Sequence, residues 1–485
     1  MLKVSKKSLV CCAVMVTVGL VACSGGSSDS STSSITTPPK NVIFFLGDGM
    51  GMTTMTAARI YSVGEDGQLT MDTLPETGFV KTFSNDAQVT DSAPSMAAYM
   101  TGVKMNNEVI SMSTPTQAYD AKGAAYTSGR DSTCPVFGNG ARVPTVLELA
   151  IANGMSTGVV TTARLTHATP AATYAHTCNR NGENDIASQA VPGNKNFNSA
   201  LGAGVDVMLG GDSTYWRPVG AVPAAPTLGR TDKADLVKDM QSAGYSFVSD
   251  VTGLNAFTPG ANKKLFGLFD QAVTQGHMSY EADRNPANEP SIAQMTTKAI
   301  DVLSQNKKGY FLMVEGGRID HALHETNGKR ALIDTVAFDD AIKAAIAKVD
   351  LKNTLIVVTA DHDHTLVLNG YAKRTGKTTS SEAGVLGLVK DYVLGGLTKD
   401  IAGLGYSIMG FGNGENRPAT RGALTDVQTS DLNYHQEAVI QTSAGNETHG
   451  GADVFIGAIG SGAESIGGVI NNTEVFKILK AGLGL

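Results

Sequence analysis

The chain is 485 residues long, 42% hydrophobic and 17% charged, with 38 basic against 45 acidic side chains and a formal charge of -7. That composition gives ample core material and excludes a disordered or collagen-like chain. The mild acidic balance argues against nucleic acid as a partner, so an anionic substrate has to be drawn in by a local cationic site.

Lys3, Lys6 and Lys7 precede a 13-residue apolar run from Leu9 to Val21. The run is too short to span a bilayer as a mature helix but has the length of a signal peptide, so residues 1–22 are expected to be removed. Leu20-Val21-Ala22-Cys23 resembles the bacterial lipobox, which makes Cys23 the candidate lipid anchor. An ordinary secretory signal cut nearby is the alternative. Residues 24–40 follow as a flexible Ser/Thr-rich tether with a contour of at most roughly 55 Å. This address predicts an exported lipoprotein, held at a bacterial membrane and facing the periplasm or the cell surface. Cys11 and Cys12 fall in the removed segment, leaving Cys134 and Cys178. An even pair in an exported chain points to a disulfide, with two buried free thiols as the alternative.

From residue 41 to 485 the pattern is strand, turn, helix. Asn41–Leu46 is a short apolar run stopped by Gly47-Asp48-Gly49, and Thr53–Tyr61 has helical spacing. The unit recurs: helix Val143–Ala152 with strand Gly158–Thr162, helix Ser291–Ser304 with strand Tyr310–Val314, helix Arg330–Val349 with strand Thr354–Thr359. Such alternation predicts an α/β fold, a doubly wound and mostly parallel sheet with helices on both faces. A Gly-rich stretch of about 369–431 interrupts it near the C-terminal third and reads as an insertion on the rim. Strand Val454–Ile459 and helix Thr473–Leu483 close the chain.

Asp48, Glu315 and Asp361 each sit one or two residues past a predicted strand, and His167 sits five past another. In open α/β sheets that edge is where ligands bind. One carboxylate there is readily a strand terminator or a helix cap; the whole set is harder to explain so. Asp320 and His324 have the i, i+4 spacing that puts both on one helical face, suited to one metal ion. Asp361-His362-Asp363-His364 offers donors for a second ion, and His449 adds another. Six of the nine histidines, His167, His321, His324, His362, His364 and His449, fall beside strand ends. Mixed Asp and His donors without Cys favour zinc, whereas the oxygen set Asp48, Thr169 and Glu315 suits magnesium. Ser92, in Thr90-Asp91-Ser92-Ala93-Pro94, is the candidate nucleophile at the positive end of a predicted helix that Asp91 caps. No Gly-x-Ser-x-Gly elbow and no Gly-rich phosphate loop is present, so activation of the serine has to come from a metal.

These residues, in this order over nearly all of residues 40 to 485, resemble the alkaline phosphatase family. The resemblance implies that Asp320, His324 and His449 hold one zinc, and that Asp48, Asp361 and His362 hold a second alongside Ser92. It implies that Asp48 also reaches a magnesium with Thr169 and Glu315, and that His364 orients a zinc-bound carboxylate. Arg180 matches the family's phosphate-clamping arginine, a role its planar bidentate donors suit. A histidine at both His167 and His321 resembles the vertebrate-like branch, where these positions face substrate or tune magnesium. Asp270 and Glu289 match that branch's calcium site only loosely, and calcium is left unassigned. Pro94, Met96 and Asp363 depart from the family pattern. The reaction implied is hydrolysis of small-molecule phosphate monoesters through a phosphoserine, with two zincs and one magnesium as cofactors. Family members are commonly dimers, so a homodimer is an expectation, with no interface legible here.

Charge supports that substrate class. Two zincs and a magnesium bring about +6, four carboxylates -4, Arg180 +1 and a serine alkoxide -1, leaving roughly +2 for a monoester dianion to balance. A phosphodiesterase or sulfatase is the nearest rival, but Ser92-Ala93-Pro94-Ser95 lacks the Cys/Ser-x-Pro-x-Arg context of sulfatases. A binding or structural protein braced by metals is the rival from another class, and it needs neither Ser92 nor Arg180.

Overall fold

The structure is a computed structural model that describes residues 40–223, 225–269 and 276–485; the expected signal segment, Cys23 and the tether before Lys40 lie outside them. Ten strands form the main sheet: β1 (Lys40–Gly47), β2 (Glu76–Lys81), β3 (Ser156–Arg164), β4 (Val207–Gly211), β5 (Tyr245–Val248), β6 (Lys264–Leu268), β7 (Gly309–Gly316), β8 (Thr354–Ala360), β9 (Val454–Gly460) and β10 (Gly468–Asn471). Their order is β10-β2-β9-β8-β1-β7-β3-β4-β6-β5. Neighbours are parallel throughout except that β9 runs against both β8 and β2. The five strands that the apolar runs predict are all present, each with its end shifted by a few residues, and five shorter ones flank them. The central strands β7 and β8 are buried at every position, as a sheet covered on both faces requires.

Helices α1 (Met52–Val63), α5 (Ile292–Leu303) and α7 (Gly328–Lys348) pack as one group, with α6 (Arg318–His324) against α7. Four more, α2 (Ser92–Thr101), α3 (Val146–Ala152), α4 (Ala168–Tyr174) and α8 (Asn472–Leu483), form a second group. A second sheet forms around the Gly-rich stretch. Leu366–Leu368, Met409–Gly414 and Ala438–Gln441 make it three-stranded, and residues 369–408 are a short 3-10 helix, Gly384–Leu386, and turns joined by isolated bridges such as Lys390 to Leu397.

Register fixes the rim. Gly47 of β1 pairs with Ala360 of β8 on one side and with Gly316 of β7 on the other, and Glu315 lies opposite both Leu46 and Thr161. Asp48 and Asp361 therefore leave adjacent strands at the same level, with Glu315 on the strand at the other side of Asp48's. Cys134 and Cys178 are disulfide-bonded across a sequence separation of 44, which ties the loop carrying Arg180 to residues 131–134.

Candidate active site

The turn after β1 brings the first carboxylate inward. Gly49 has φ +67°, and a Cβ there would lie 2.5 Å from the His364 ring, so only glycine lets this turn close over the site. Gly49 N donates to Asp361 Oδ1 at 3.0 Å, joining the β1 and β8 turns directly. Asp48, Asp361 and His362 are each 0% exposed.

Three groups of donor atoms lie within 4.8 Å of one another among the described residues: Asp320, His324, His364 and His449; Asp48, Asp320 and His362; and Asp48, His167 and Glu315. In the first, His324 Nε2 is 3.3 Å and His449 Nε2 3.6 Å from Asp320 Oδ1. Each of these imidazoles gives its outer nitrogen to a carbonyl, His324 Nδ1 to Glu447 O and His449 Nδ1 to Thr90 O. That hydrogen bond fixes the tautomer and leaves a lone pair on Nε2, the form a metal ligand needs. The two Nε2 atoms face each other at 3.2 Å, an arrangement that a cation stabilises and lone pairs alone do not. His364 is engaged at both nitrogens, Nε2 to Asp320 Oδ1 at 2.8 Å and Nδ1 to Glu447 Oε2 at 2.5 Å, which suits it to orienting the Asp320 carboxylate.

Ser92 Oγ is 3.1 Å from His362 Nε2 and 3.4 Å from Asp48 Oδ1, and Thr169 Oγ1 is 3.3 Å from Asp48 Oδ2. Ser92 is the first residue of α2, and Asp91 caps that helix by accepting from Ala93 N at 2.9 Å. The same Asp91 carboxylate pairs with Arg180 Nη1 at 2.6 Å and accepts from Glu108 N. Arg180 N in turn donates to Glu108 O at 2.8 Å, so the guanidinium is anchored by both backbone and side chain beside Ser92. A polar pocket of about 220 Å³ lined by Glu108, Arg164, His167, Arg180, Asn181 and Glu183 opens next to it.

His167 joins Asp48 and Glu315, and its Nε2 lies 3.0 Å from Arg180 Nη2. His321 meets His167 edge-on at 5.2 Å and receives Arg318 Nη1 at 3.0 Å. His277, which no sequence motif marks, has its ring centre 4.1 Å from that of His321 and its Nε2 2.6 Å from Arg164 Nη1. Glu447, to which the motifs likewise give no role, is buried; its only mark in sequence is its place two residues before His449. Glu289 is buried and accepts from Ser279 N at 2.6 Å, while Asp270 lies outside the described residues.

The electrostatics of the rim favour cations. Burial, followed by repulsion from Asp361, Asp320 and Glu315, raises Asp48 well above the usual carboxylate range. Burial likewise pushes Glu315 up to about 8 and Asp361 up to about 6. Burial lowers His362 to about 3 and His449 well below the usual imidazole range, which keeps both neutral and able to ligate. Glu315 Oε1 and His167 Nδ1 are buried without a hydrogen-bond partner. Crowded, dry carboxylates, neutral imidazoles and unpartnered acceptors together fit a set of divalent cations.

Comparison with known proteins gives the same direction. Residues 39–485 match the family model of alkaline phosphatase. The chain is 35% identical over 456 residues to the tissue-nonspecific alkaline phosphatase isozyme of Mus musculus, covering 89% of this chain and 81% of the relative. It is 32% identical over 474 residues to the membrane-bound alkaline phosphatase of Bombyx mori, covering 90% and 78%. Among solved structures, alkaline phosphatase from the Antarctic bacterium TAB5 superposes with TM-score 0.60 at 23% identity over 92% of this chain and 98% of the other. That from Thermus thermophilus gives 0.63 at 24% over 92% and 93%. These two likenesses speak for the fold, and the sequence match speaks for the family. A metal-ready rim on this fold, matched in sequence almost end to end, makes the chain a member of the alkaline phosphatase family and an enzyme that hydrolyses phosphate monoesters.

Proposed function

We propose that Ser92 is the nucleophile of a two-step hydrolysis, that two zincs and one magnesium bind at the rim where the donor groups overlap, joined by Asp361 at 3.3 Å from His362 Nε2 and by Thr169, and that Arg180 binds the phosphoryl group. Asp320, His324 and His449 would hold one zinc, Asp48, Asp361, His362 and Ser92 the other, and Asp48, Thr169 and Glu315 the magnesium, with His167 beside it. The support for magnesium is the oxygen-rich set itself, with the buried Glu315 Oε1 lacking a hydrogen-bond partner. Bound there, the cations supply positive charge that acidifies a hydroxyl or a water and neutralises developing negative charge.

The chain's own residues do the rest. Ser92 Oγ loses its proton and attacks phosphorus in line, forming an O–P bond as the ester O–P bond breaks, and the alcohol leaves with a proton. Arg180 holds two non-bridging oxygens in its planar fork, kept in aim by Asp91. Water then attacks the phosphoserine from the side the alcohol vacated, returning Ser92 and inorganic phosphate. The observation that carries this reading is the Ser92 hydroxyl 3.1 Å from His362 Nε2 and 3.4 Å from Asp48 Oδ1, between two donor groups and next to the arginine pair. Ser92→Ala should retain its metal complement by mass spectrometry and lose aryl phosphate turnover, and full turnover would remove the covalent step.

The chain reads further as an exported lipoprotein anchored through Cys23. The support is the basic start, the 13-residue apolar run and the lipobox-like Leu20-Val21-Ala22-Cys23. A homodimer stays an expectation of the family.

A further inference from the structure

A groove of about 520 Å³ lies on the same rim, lined by Lys81, Phe83, Gln88, Val89, Gly451 and Asp453. Its position follows from topology. Strand β9 runs against both β8 and β2, so the end of β2 at Lys81 and the start of β9 at Val454 share the rim from which Asp361 emerges. Two strand spacings separate β2 from β8, about 10 Å. Val89 lies three residues ahead of Ser92 and Gly451 two residues past His449, at most about 11 Å and 7 Å of chain. A Cβ on Gly451 would sit 3.2 Å from Val89 Cγ2, so the two segments meet at the groove's inner end. His449 itself is fastened to Thr90 O at 2.8 Å, one residue from Val89.

In-line displacement puts the departing oxygen opposite Ser92. Ser92 Oγ contacts Asp48 and His362, which leaves Asp320, His324 and His449 for the departing side. An alcohol portion leaving on that side would extend past His449, toward Gly451 and Val89. The groove it enters has an aromatic wall. Phe83 is 43% exposed, yet Lys104 Nζ stands 3.5 Å from its ring centre and also donates to Phe83 O, which holds the ring in place. Val89 is 37% exposed beside it. Nothing in the reaction at phosphorus uses Phe83, Gln88 or Val89.

We propose that this groove is the leaving-group subsite and that Phe83 and Val89 select phosphate monoesters of flat, aromatic alcohols over those of small alcohols. The inference rests on the phosphomonoesterase reading with Ser92 as nucleophile. The test uses the full-length holoenzyme with 1-naphthyl phosphate and ethyl phosphate as paired substrates and naphthylphosphonate as a non-hydrolysable competitor. Phe83→Ala should lower kcat/KM for naphthyl phosphate about 3- to 10-fold and weaken naphthylphosphonate inhibition by the same factor. Ethyl phosphate turnover and inhibition by inorganic phosphate should not change, and Phe83→Trp should restore the naphthyl preference. Equal losses on both substrates, or no loss on either, overturn the subsite while leaving the phosphatase reading standing. A wild-type holoenzyme that hydrolyses neither ester overturns both.

Discussion

Glu447 is the residue whose removal tests the site most sharply. It is 1% exposed, with one carboxylate oxygen 2.5 Å from His364 Nδ1 and the other accepting from Thr365 N at 2.8 Å. In Glu447→Gln the amide oxygen can serve only one of these donors, so its NH2 faces an N–H. Breaking one side of a buried charge pair costs about 3–5 kcal/mol. His364 also loses its grip on Asp320, and disturbing such a supporting contact weakens metal affinity about 10–100-fold. The pH dependence has a definite sign. Although burial opposes it, Glu447 and Asp320 push His364 up to about 10 from an ordinary 6.5. A folded value above the unfolded one contributes stability that is full below about pH 6.5 and is lost as pH rises through about 10. Urea unfolding of chelator-treated protein should therefore show the largest gap between wild type and Glu447→Gln near pH 6, closing toward pH 10. Competition with a chromophoric chelator reads the affinity loss. A gap that stays flat or widens with pH, together with unaltered metal affinity, would refute the reasoning.

Arg180→Ala should weaken competitive inhibition by inorganic phosphate by about 10- to 100-fold, because two charge-assisted hydrogen bonds are lost, and an unchanged inhibition constant would remove the clamp. Replacing Cys134 and Cys178 together by serine releases a loop of 44 residues and should cost about 4 kcal/mol on the chain-entropy model, seen as a lower denaturation midpoint. Part of that loss should appear as weaker phosphate binding, since the bridge lies two residues from Arg180. Cys23→Ser should move active enzyme from the membrane fraction to the soluble fraction, and persistent membrane fractionation would sink the lipid anchor.

The rim was legible because burial writes itself into sequence. Strands covered on both faces read as unbroken apolar runs, so Asn41–Leu46, Tyr310–Val314 and Thr354–Thr359 announced their own ends, and the acids just past them stood out. The edge strands did not: Tyr245–Val248 and Gly468–Asn471 are short and partly exposed, with no such run. The reversed direction of β9 had no local signal either, since strand sense is decided by the partner and not by the residues. Spacing revealed Asp320 with His324 because both lie on one helix. It could not reveal that His277 would meet His321, or that Glu447 would meet His364 across 83 positions, because those neighbours are chosen by tertiary packing.

The antiparallel strand β9 has a consequence for biogenesis. Every other donor reaches the rim at or after the exit of a parallel strand, but His449 arrives on the approach to β9 and is the last of the donors in chain order. A nascent chain that already contains Asp48, Asp320 and His362 still lacks the imidazole that closes the first donor group. Metal capture at that group is thereby deferred until the approach to β9 has been made, and truncations that remove β9 together with its approach should yield a protein unable to load it.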